Sequence, residues 1–160
     1  MKNENRYQFS ARWNAITVSA RILALDVGDR RIGVAVSDPL GLTAQPQPTI
    51  DRQAADPAET IAALAGTLHV ERVVVGLPLT LRGERGPQAQ KVIAFAEALQ
   101  ARLSCPVVYW DERFSTHESH RALRDAPRHK RRQRGLVDQT AALLILQGYL
   151  EAQQHTNPRE

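Results

Sequence analysis

The sequence predicts an α/β fold in which one mixed β-sheet carries helices on its faces. Near its start, two apolar runs are separated by a short turn containing Gly28, a pattern typical of a β-hairpin. Farther along, short apolar runs alternate with segments of helical periodicity, which indicates strands joined by helices. The chain has 160 residues, enough for one domain and too few for a comfortable second one.

The elements follow in a simple order. Residues 22–27 and 32–38 form the hairpin, and the Pro-broken stretch that follows is predicted to be a loop with a short edge strand near Thr49 and Ile50. Two strand-like runs lie at residues 72–77 and 106–110. Helical spacing predicts the helices, with Pro87 in the first turn of the second: residues 57–68, 87–103, 116–125 and 137–150.

The chain ends lack a usable periodicity. Residues 1–20 are therefore predicted to be a flexible extension and residues 153–160 a flexible tail, on either side of a domain at 21–152. The single cysteine, Cys105, excludes a disulfide framework, and no window has the length of a membrane span or the apolar core of a signal peptide. We therefore expect a cytoplasmic protein.

The charge is unevenly distributed. The net charge is +4, yet residues 121–134 hold seven Lys or Arg and one acid, a local charge of +6 that leaves −2 for the rest of the chain. Such a segment indicates contact with a polyanion. A solvated basic loop is the plainer interpretation and, for a charge run alone, the favoured one.

Acidic residues lie at the ends of three predicted elements: the first strand, the strand at 106–110 and the last helix. Asp26 nearly closes the first strand, on the face of Ile22 and Ala24, although it could equally serve the turn at Gly28. Asp111 and Glu112 follow the strand at 106–110, and alternation lets only one join Asp26 easily, for which we favour Glu112. The alternative is an exposed strand end paired with Arg113.

The third acid, Asp138, opens the last helix. A lone acid there is ordinary, because it complements the helix dipole. However, Asp138 shares a small apolar helical face with Ala141, Ala142 and Ile145, which should pack on the sheet and carry the acid inward.

Three clustered carboxylates repel one another unless cations lie among them. Hard oxygen ligands suit Mg²⁺ or Mn²⁺, and two such ions about 4 Å apart can activate water and stabilise the leaving oxygen of a phosphodiester. Asp26, Glu112 and Asp138 are thus the predicted metal ligands and catalytic residues of a nuclease. The five histidines show no convincing ligand spacing.

The basic side chains near these elements are the predicted nucleic-acid contacts. They are Arg30, Arg31, Arg82, Arg85, Arg113, Arg128, Lys130, Arg131, Arg132 and Arg134. Those of the segment 82–86 (RGERG) follow a strand end, where ligands often bind in open sheets, although loop flexibility explains that segment about as well. No Walker pattern is present.

Four segments together resemble the YqgF family, also called RuvX. They are LALDVGDRRIGVAVSD, VVVGLPLTLRGERG, YWDERFST and VDQTAALLILQGYL, and the similarity extends from about Arg21 to Leu150. The resemblance implies an RNase H-like fold close to the RuvC resolvases, with a five-stranded mixed sheet, and catalytic carboxylates at Asp26, Glu112 and Asp138. It also implies a Mg²⁺- or Mn²⁺-dependent nuclease maturing the 5′ end of the pre-16S rRNA.

Several alternatives stay open. A Holliday junction resolvase would use the same chemistry on branched DNA, and its need for two active sites predicts a homodimer. A phosphate-binding ATPase domain, suggested by the hairpin at Asp26 and Gly28, would bind ATP tightly, but such proteins need a second domain. A non-catalytic nucleic-acid-binding factor would cut no substrate with any metal, and the presence of all three acids argues against it.

Overall fold

The computed structural model describes residues 21–114 and 134–156, and the side chains of residues 134–140 lie outside that description. Five strands form one sheet in the order β3-β2-β1-β4-β5. They are β1 (Arg21–Val27), β2 (Arg31–Ser37), β3 (Ala44–Asp51), β4 (Val70–Leu77) and β5 (Val107–Asp111). The first three pair antiparallel, whereas β4 pairs parallel to both β1 and β5.

Two helices cover one face of the sheet. Helix α1 (Pro57–Thr67) begins at the N-cap Asp56, and α2 (Pro87–Gln100) begins with a proline. Their apolar stripes pack on large aliphatic side chains of the central strands, among them Leu23, Leu25 and Val75. Burial of these side chains from water provides the main stabilisation of this layer.

Helix α3 (Arg134–Thr156) covers the opposite face. The sheet residues beneath it are small, with Ala24 and Ala35 fully buried, so the helix can approach the strands closely. Among the described residues, no helix is long and apolar enough to cross a membrane.

The predicted fold class is confirmed, including the mixed five-stranded sheet. Most boundaries differ from the prediction by one to three residues, and two elements are considerably longer than predicted. The edge strand β3 has eight residues and includes Pro46 and Pro48. In the described sheet β3 pairs only with β2, and an edge strand tolerates proline because one side of its backbone needs no hydrogen-bond partner. Helix α3 begins before residue 137 and continues through Thr156, so residues 153–156 are helical where a flexible tail was predicted.

Two predicted segments cannot be compared with the structure. The extension at 1–20 and the helix at 116–125, with most of the basic stretch, lie outside the described residues. Both stay predictions.

Candidate active site

The carboxyl ends of β1, β4 and β5 meet at one edge of the sheet. Leu25 pairs with Val75, and Gly76 pairs with Trp110, so Asp26, Gly76 and the start of the turn after β5 are neighbours. A short 3₁₀ turn, Glu112–Phe114, follows β5 directly. Strand alternation places Asp26 on the α3 face, with Ala24.

Gly76, on the strand between β1 and β5, leaves space for the Glu112 carboxylate. A β-carbon built on Gly76 would lie 2.7 Å from Oε1 of Glu112 and 2.5 Å from Cδ1 of Ile145, a residue of α3. Both distances are far inside van der Waals contact. The missing side chain therefore lets the Glu112 carboxylate and helix α3 approach the sheet together.

The electrostatics of Glu112 agree with this placement. Burial raises the pKa of Glu112 to about 7, and the negative charges of Asp26 and then Asp111 add to the shift. The charged form of a half-buried carboxylate beside two other acids is destabilised by both effects. The Asp26 side chain is itself half-buried and has interactions of its own.

Asp111 has a different environment from Glu112. Its carboxylate accepts hydrogen bonds from Arg113, with 3.0 Å from Nε to each oxygen and 2.6 Å from Nη2 to Oδ2. The bonds from Arg113 hold the pKa of Asp111 below its ordinary value. Of the two adjacent acids, Asp111 is therefore the one paired with Arg113, and Glu112 is the one whose pKa is raised by burial and by the charge of Asp26.

The third predicted acid lies on helix α3. Position 138 precedes the fully buried Ala142 by four residues and the buried Ile145 by seven, so the helical backbone places it one turn before residues packed on the sheet. The Asp138 side chain lies outside the described residues, and its role stays a prediction.

The predicted basic contacts divide into three groups. Arg30 and Arg31 are exposed at the β1–β2 turn, and Arg82 and Arg85 are exposed in the loop after β4. Arg113 pairs with Asp111 beside that loop. The remaining positions have no described side chain: Arg128, Lys130, Arg131, Arg132 and Arg134.

Contacts with neighbouring elements brace the β1–β2 turn. Nη1 of Arg52 donates to the Gly28 carbonyl at 2.7 Å, and Lys91 of α2 pairs with Asp29 at 3.4 Å. These contacts hold the exposed Arg30 close to the end of the strand that carries Asp26. The turn therefore presents positive charge at the same sheet edge as the acids.

The donor set fits a hard divalent cation. Carboxylate oxygens are the ligands that Mg²⁺ and Mn²⁺ prefer, and a cation here would favour the ionised form of Glu112, which burial and then the neighbouring acids disfavour. The residues with described side chains contain no group of three His, Cys, Asp or Glu around one point. Among the predicted ligands, Asp26 and Glu112 are the two with described side chains, and their role in holding a metal stays a prediction.

Sequence reasoning missed Gly76 as a site residue. The strand predicted at residues 72–77 includes Gly76 without assigning it a role, whereas the structure encloses it between Glu112 and Ile145. A signal was present, because a glycine inside an apolar strand often marks a close approach of another group.

Known proteins resemble this chain in sequence and in fold. The sequence profile of RuvX, described as a Holliday junction resolvase, matches residues 20–152. A protein of Halothermothrix orenii named "Putative pre-16S rRNA nuclease" is 46% identical over 134 residues, covering 83% of this chain and 96% of that protein. A Moorella thermoacetica protein of the same name is 50% identical over 133 residues, covering 82% and 94%.

The structural comparison agrees at the level of the fold. RuvC of T. thermophilus, solved in complex with a Holliday junction substrate, superposes with a TM-score of 0.52 at 15% identity, covering 84% of this chain and 96% of that one. A second Thermus thermophilus RuvC structure gives a TM-score of 0.50. The fold is therefore that of RuvC, as the sequence predicted, and the chain belongs to the RuvX (YqgF) family.

Proposed function

We propose that this protein is a cytoplasmic, metal-dependent endonuclease that processes the 5′ end of the pre-16S rRNA. The observation that carries the proposal is the position of the Glu112 carboxylate in the space beside Gly76, at the sheet edge where Asp26 also lies and where the charge of Asp26 helps to raise the pKa of Glu112. The names of the relatives from Halothermothrix orenii and Moorella thermoacetica support the RNA substrate.

In this mechanism Asp26, Glu112 and Asp138 would hold Mg²⁺ or Mn²⁺, most effectively as two ions. When bound, the ions lower the pKa of a coordinated water and neutralise charge on the leaving oxygen of the phosphodiester. Glu112 must be ionised to act as a ligand, and a nearby cation favours that form. Gly76 provides the space in which its carboxylate lies.

The exposed arginines hold the substrate by its phosphates. Arg30 and Arg31 are exposed in the braced β1–β2 turn, and Arg82 and Arg85 are exposed in the loop after β4, at the sheet edge that carries Asp26 and Glu112. Contacts of this kind confer affinity without reading bases, so recognition depends on the shape of the RNA. The basic segment at 128–134 would extend the same contact.

A junction resolvase is the second candidate, because the family profile carries that description and RuvC shares the fold. Both activities use the same carboxylates. The resolvase would act as a homodimer, because two strands must be cut. Sedimentation of the protein with a four-way DNA junction distinguishes one bound copy from two.

The test is a cleavage assay with two labelled substrates, a fragment spanning the 5′ boundary of the pre-16S rRNA and a four-way DNA junction. Asp26→Asn and Asp138→Asn are each expected to lower cleavage at least about 100-fold in Mg²⁺ or Mn²⁺ while binding persists. Glu59→Gln, which removes an exposed carboxylate on α1, is the matched control. Binding of both substrates without cleavage of either would contradict the nuclease proposal and favour a binding factor.

A further inference from the structure

We propose that the Asp111–Arg113 pair is a positioning device that fixes the 80–84 turn (residues Thr80 to Glu84) beside the catalytic carboxylates, so that Arg82 meets a substrate phosphate there. This inference rests on the proposed nuclease function and names the part of the chain that aligns the substrate. Arg113 then acts through the turn rather than as a phosphate ligand of its own.

The 80–84 turn is internally ordered. The Gly83 amide donates to the Thr80 carbonyl at 2.8 Å, and the Thr80 amide donates to the Glu84 carbonyl at 3.0 Å. The Glu84 amide donates to Oγ1 of Thr80 at 3.0 Å. Gly83 has a φ of +81°, a conformation that other residues rarely adopt. These bonds fix the shape of the turn, but they do not fix its position on the protein.

The guanidinium of Arg113 provides that position. A β-carbon on Gly83 would lie 3.0 Å from Nη1 and 3.3 Å from Nη2, so the turn packs directly against the guanidinium. Asp111 fixes the same guanidinium through three contacts of 2.6 to 3.0 Å with Nε and Nη2. The Asp111 side chain is only 15% exposed, so this anchor is part of the protein body.

The Asp111–Arg113 pair lies directly beside Glu112 in the chain. Because Asp111 and Arg113 flank Glu112, the 80–84 turn is held at a fixed position relative to the backbone that carries the catalytic carboxylate. Arg82 and Leu81 lie between the hydrogen-bonded ends of the turn, and Leu81 is 95% exposed. A fixed turn lowers the entropic cost of aligning the Arg82 guanidinium with a phosphate.

A double-mutant cycle tests the proposal. Binding of the pre-16S rRNA fragment is measured in EDTA at several salt concentrations for Arg82→Ala, Arg113→Ala and the double variant. We expect each single variant to bind about three- to tenfold more weakly and to lose about one unit of salt slope. The double variant should bind the RNA with the same affinity as the more weakly binding of the two single variants. Additive losses, with a second unit of slope lost, would show a direct phosphate contact by Arg113 and overturn the proposal.

Arg113→Lys separates charge from geometry, because lysine keeps the charge but cannot form the forked contact with Asp111. We expect it to behave like Arg113→Ala, and wild-type binding would overturn the proposal. Arg102→Ala, which breaks an exposed ion pair with Asp56 at 2.6 Å, is the matched control and should bind normally.

A second readout needs no nucleic acid. Trypsin cleaves after arginine, and loosening of the turn should raise cleavage at Arg82 and Arg85 several-fold in Arg113→Ala and Arg113→Lys. Unchanged cleavage would overturn the positioning role. If the wild-type protein binds neither the RNA fragment nor a four-way junction, the proposed function fails, and the trypsin rates still decide whether the pair holds the turn.

Discussion

Oε1 of Glu112 occupies the space of a side chain on Gly76, only 2.7 Å from the position that a β-carbon there would take. Gly76→Ala should therefore displace both Glu112 and Ile145, the latter by its 2.5 Å overlap. We expect at least about tenfold weaker Mn²⁺ binding, measured by calorimetry, and a loss of about 1–3 kcal/mol in unfolding free energy from overpacking.

The matched control for that prediction is Gly66→Ala. Gly66 lies near the end of α1 with nothing within 4 Å of its added β-carbon, so the change should leave Mn²⁺ binding unaltered. Alanine in a helix is favoured over glycine by about 0.5–1 kcal/mol, so a small stabilisation is expected. Equal loss of Mn²⁺ affinity in both variants would contradict the role given to Gly76.

The second prediction concerns pH. The folded-state pKa of Glu112 is raised to about 7 from 4.5, so the folded protein binds more protons than the unfolded chain between these values. Stability of the metal-free protein should then fall as pH rises through that window. Glu112→Gln removes the penalty and should stabilise the metal-free protein at pH 8 by on the order of 2 kcal/mol.

Chemical denaturation in EDTA at pH 8 and at pH 4.5 measures the effect. At pH 4.5 or below, the stabilisation by Glu112→Gln should largely vanish because the wild-type carboxyl is protonated in the folded protein. Asp51→Asn, at an exposed position on β3, serves as the control. A stabilisation independent of pH would contradict the environment described for Glu112.

The third prediction concerns the metal itself. Mg²⁺ at about ten times its dissociation constant should stabilise the folded protein by about 1.4 kcal/mol, because it binds only the folded site. A thermal melt with and without Mg²⁺ measures this as an upward shift in Tm. Asp26→Asn should remove the shift. If the variant keeps the full Mg²⁺-dependent shift, the ion binds elsewhere.

The fourth prediction concerns the attachment of α3. The Tyr149 hydroxyl receives a hydrogen bond of 2.6 Å from Nη1 of Arg72, whose buried Nε has no hydrogen-bond partner among the described residues. Tyr149→Phe removes this hydrogen-bond acceptor of Arg72 and should lower the free energy of unfolding by about 1–3 kcal/mol, measured by denaturant titration. Tyr109→Phe, on the 41%-exposed ring of β5, should change stability by less than about 0.5 kcal/mol.

The strands and the first two helices could be predicted because apolar periodicity follows burial. Every core strand repeats aliphatic residues, and α1 and α2 each place one apolar stripe on the sheet. The length of β3 was harder, because Pro46 and Pro48 normally argue against a strand and only an edge position accepts them.

The candidate site, like the fold, could be predicted only in part. The positions of Asp26 and Glu112 at strand ends predicted an acidic cluster, and the structure places both residues at the same edge of the sheet. A glycine within an apolar strand indicated a close approach at Gly76, but the approaching groups, Glu112 after β5 and Ile145 of α3, could not be deduced from the sequence. The contact of Arg113 with Gly83 likewise depends on the fold of a loop that no periodicity describes.

The central claim is that Asp26 and Glu112 hold a divalent ion at the carboxyl edge of the sheet. Anomalous diffraction from a crystal soaked in Mn²⁺ tests it most directly. We predict a Mn²⁺ peak within about 2.1–2.3 Å of carboxylate oxygens of both residues, and no such peak in Asp26→Asn crystals. At saturating Mn²⁺, the absence of a peak at this site, or a peak that contacts neither carboxylate, would contradict the claim.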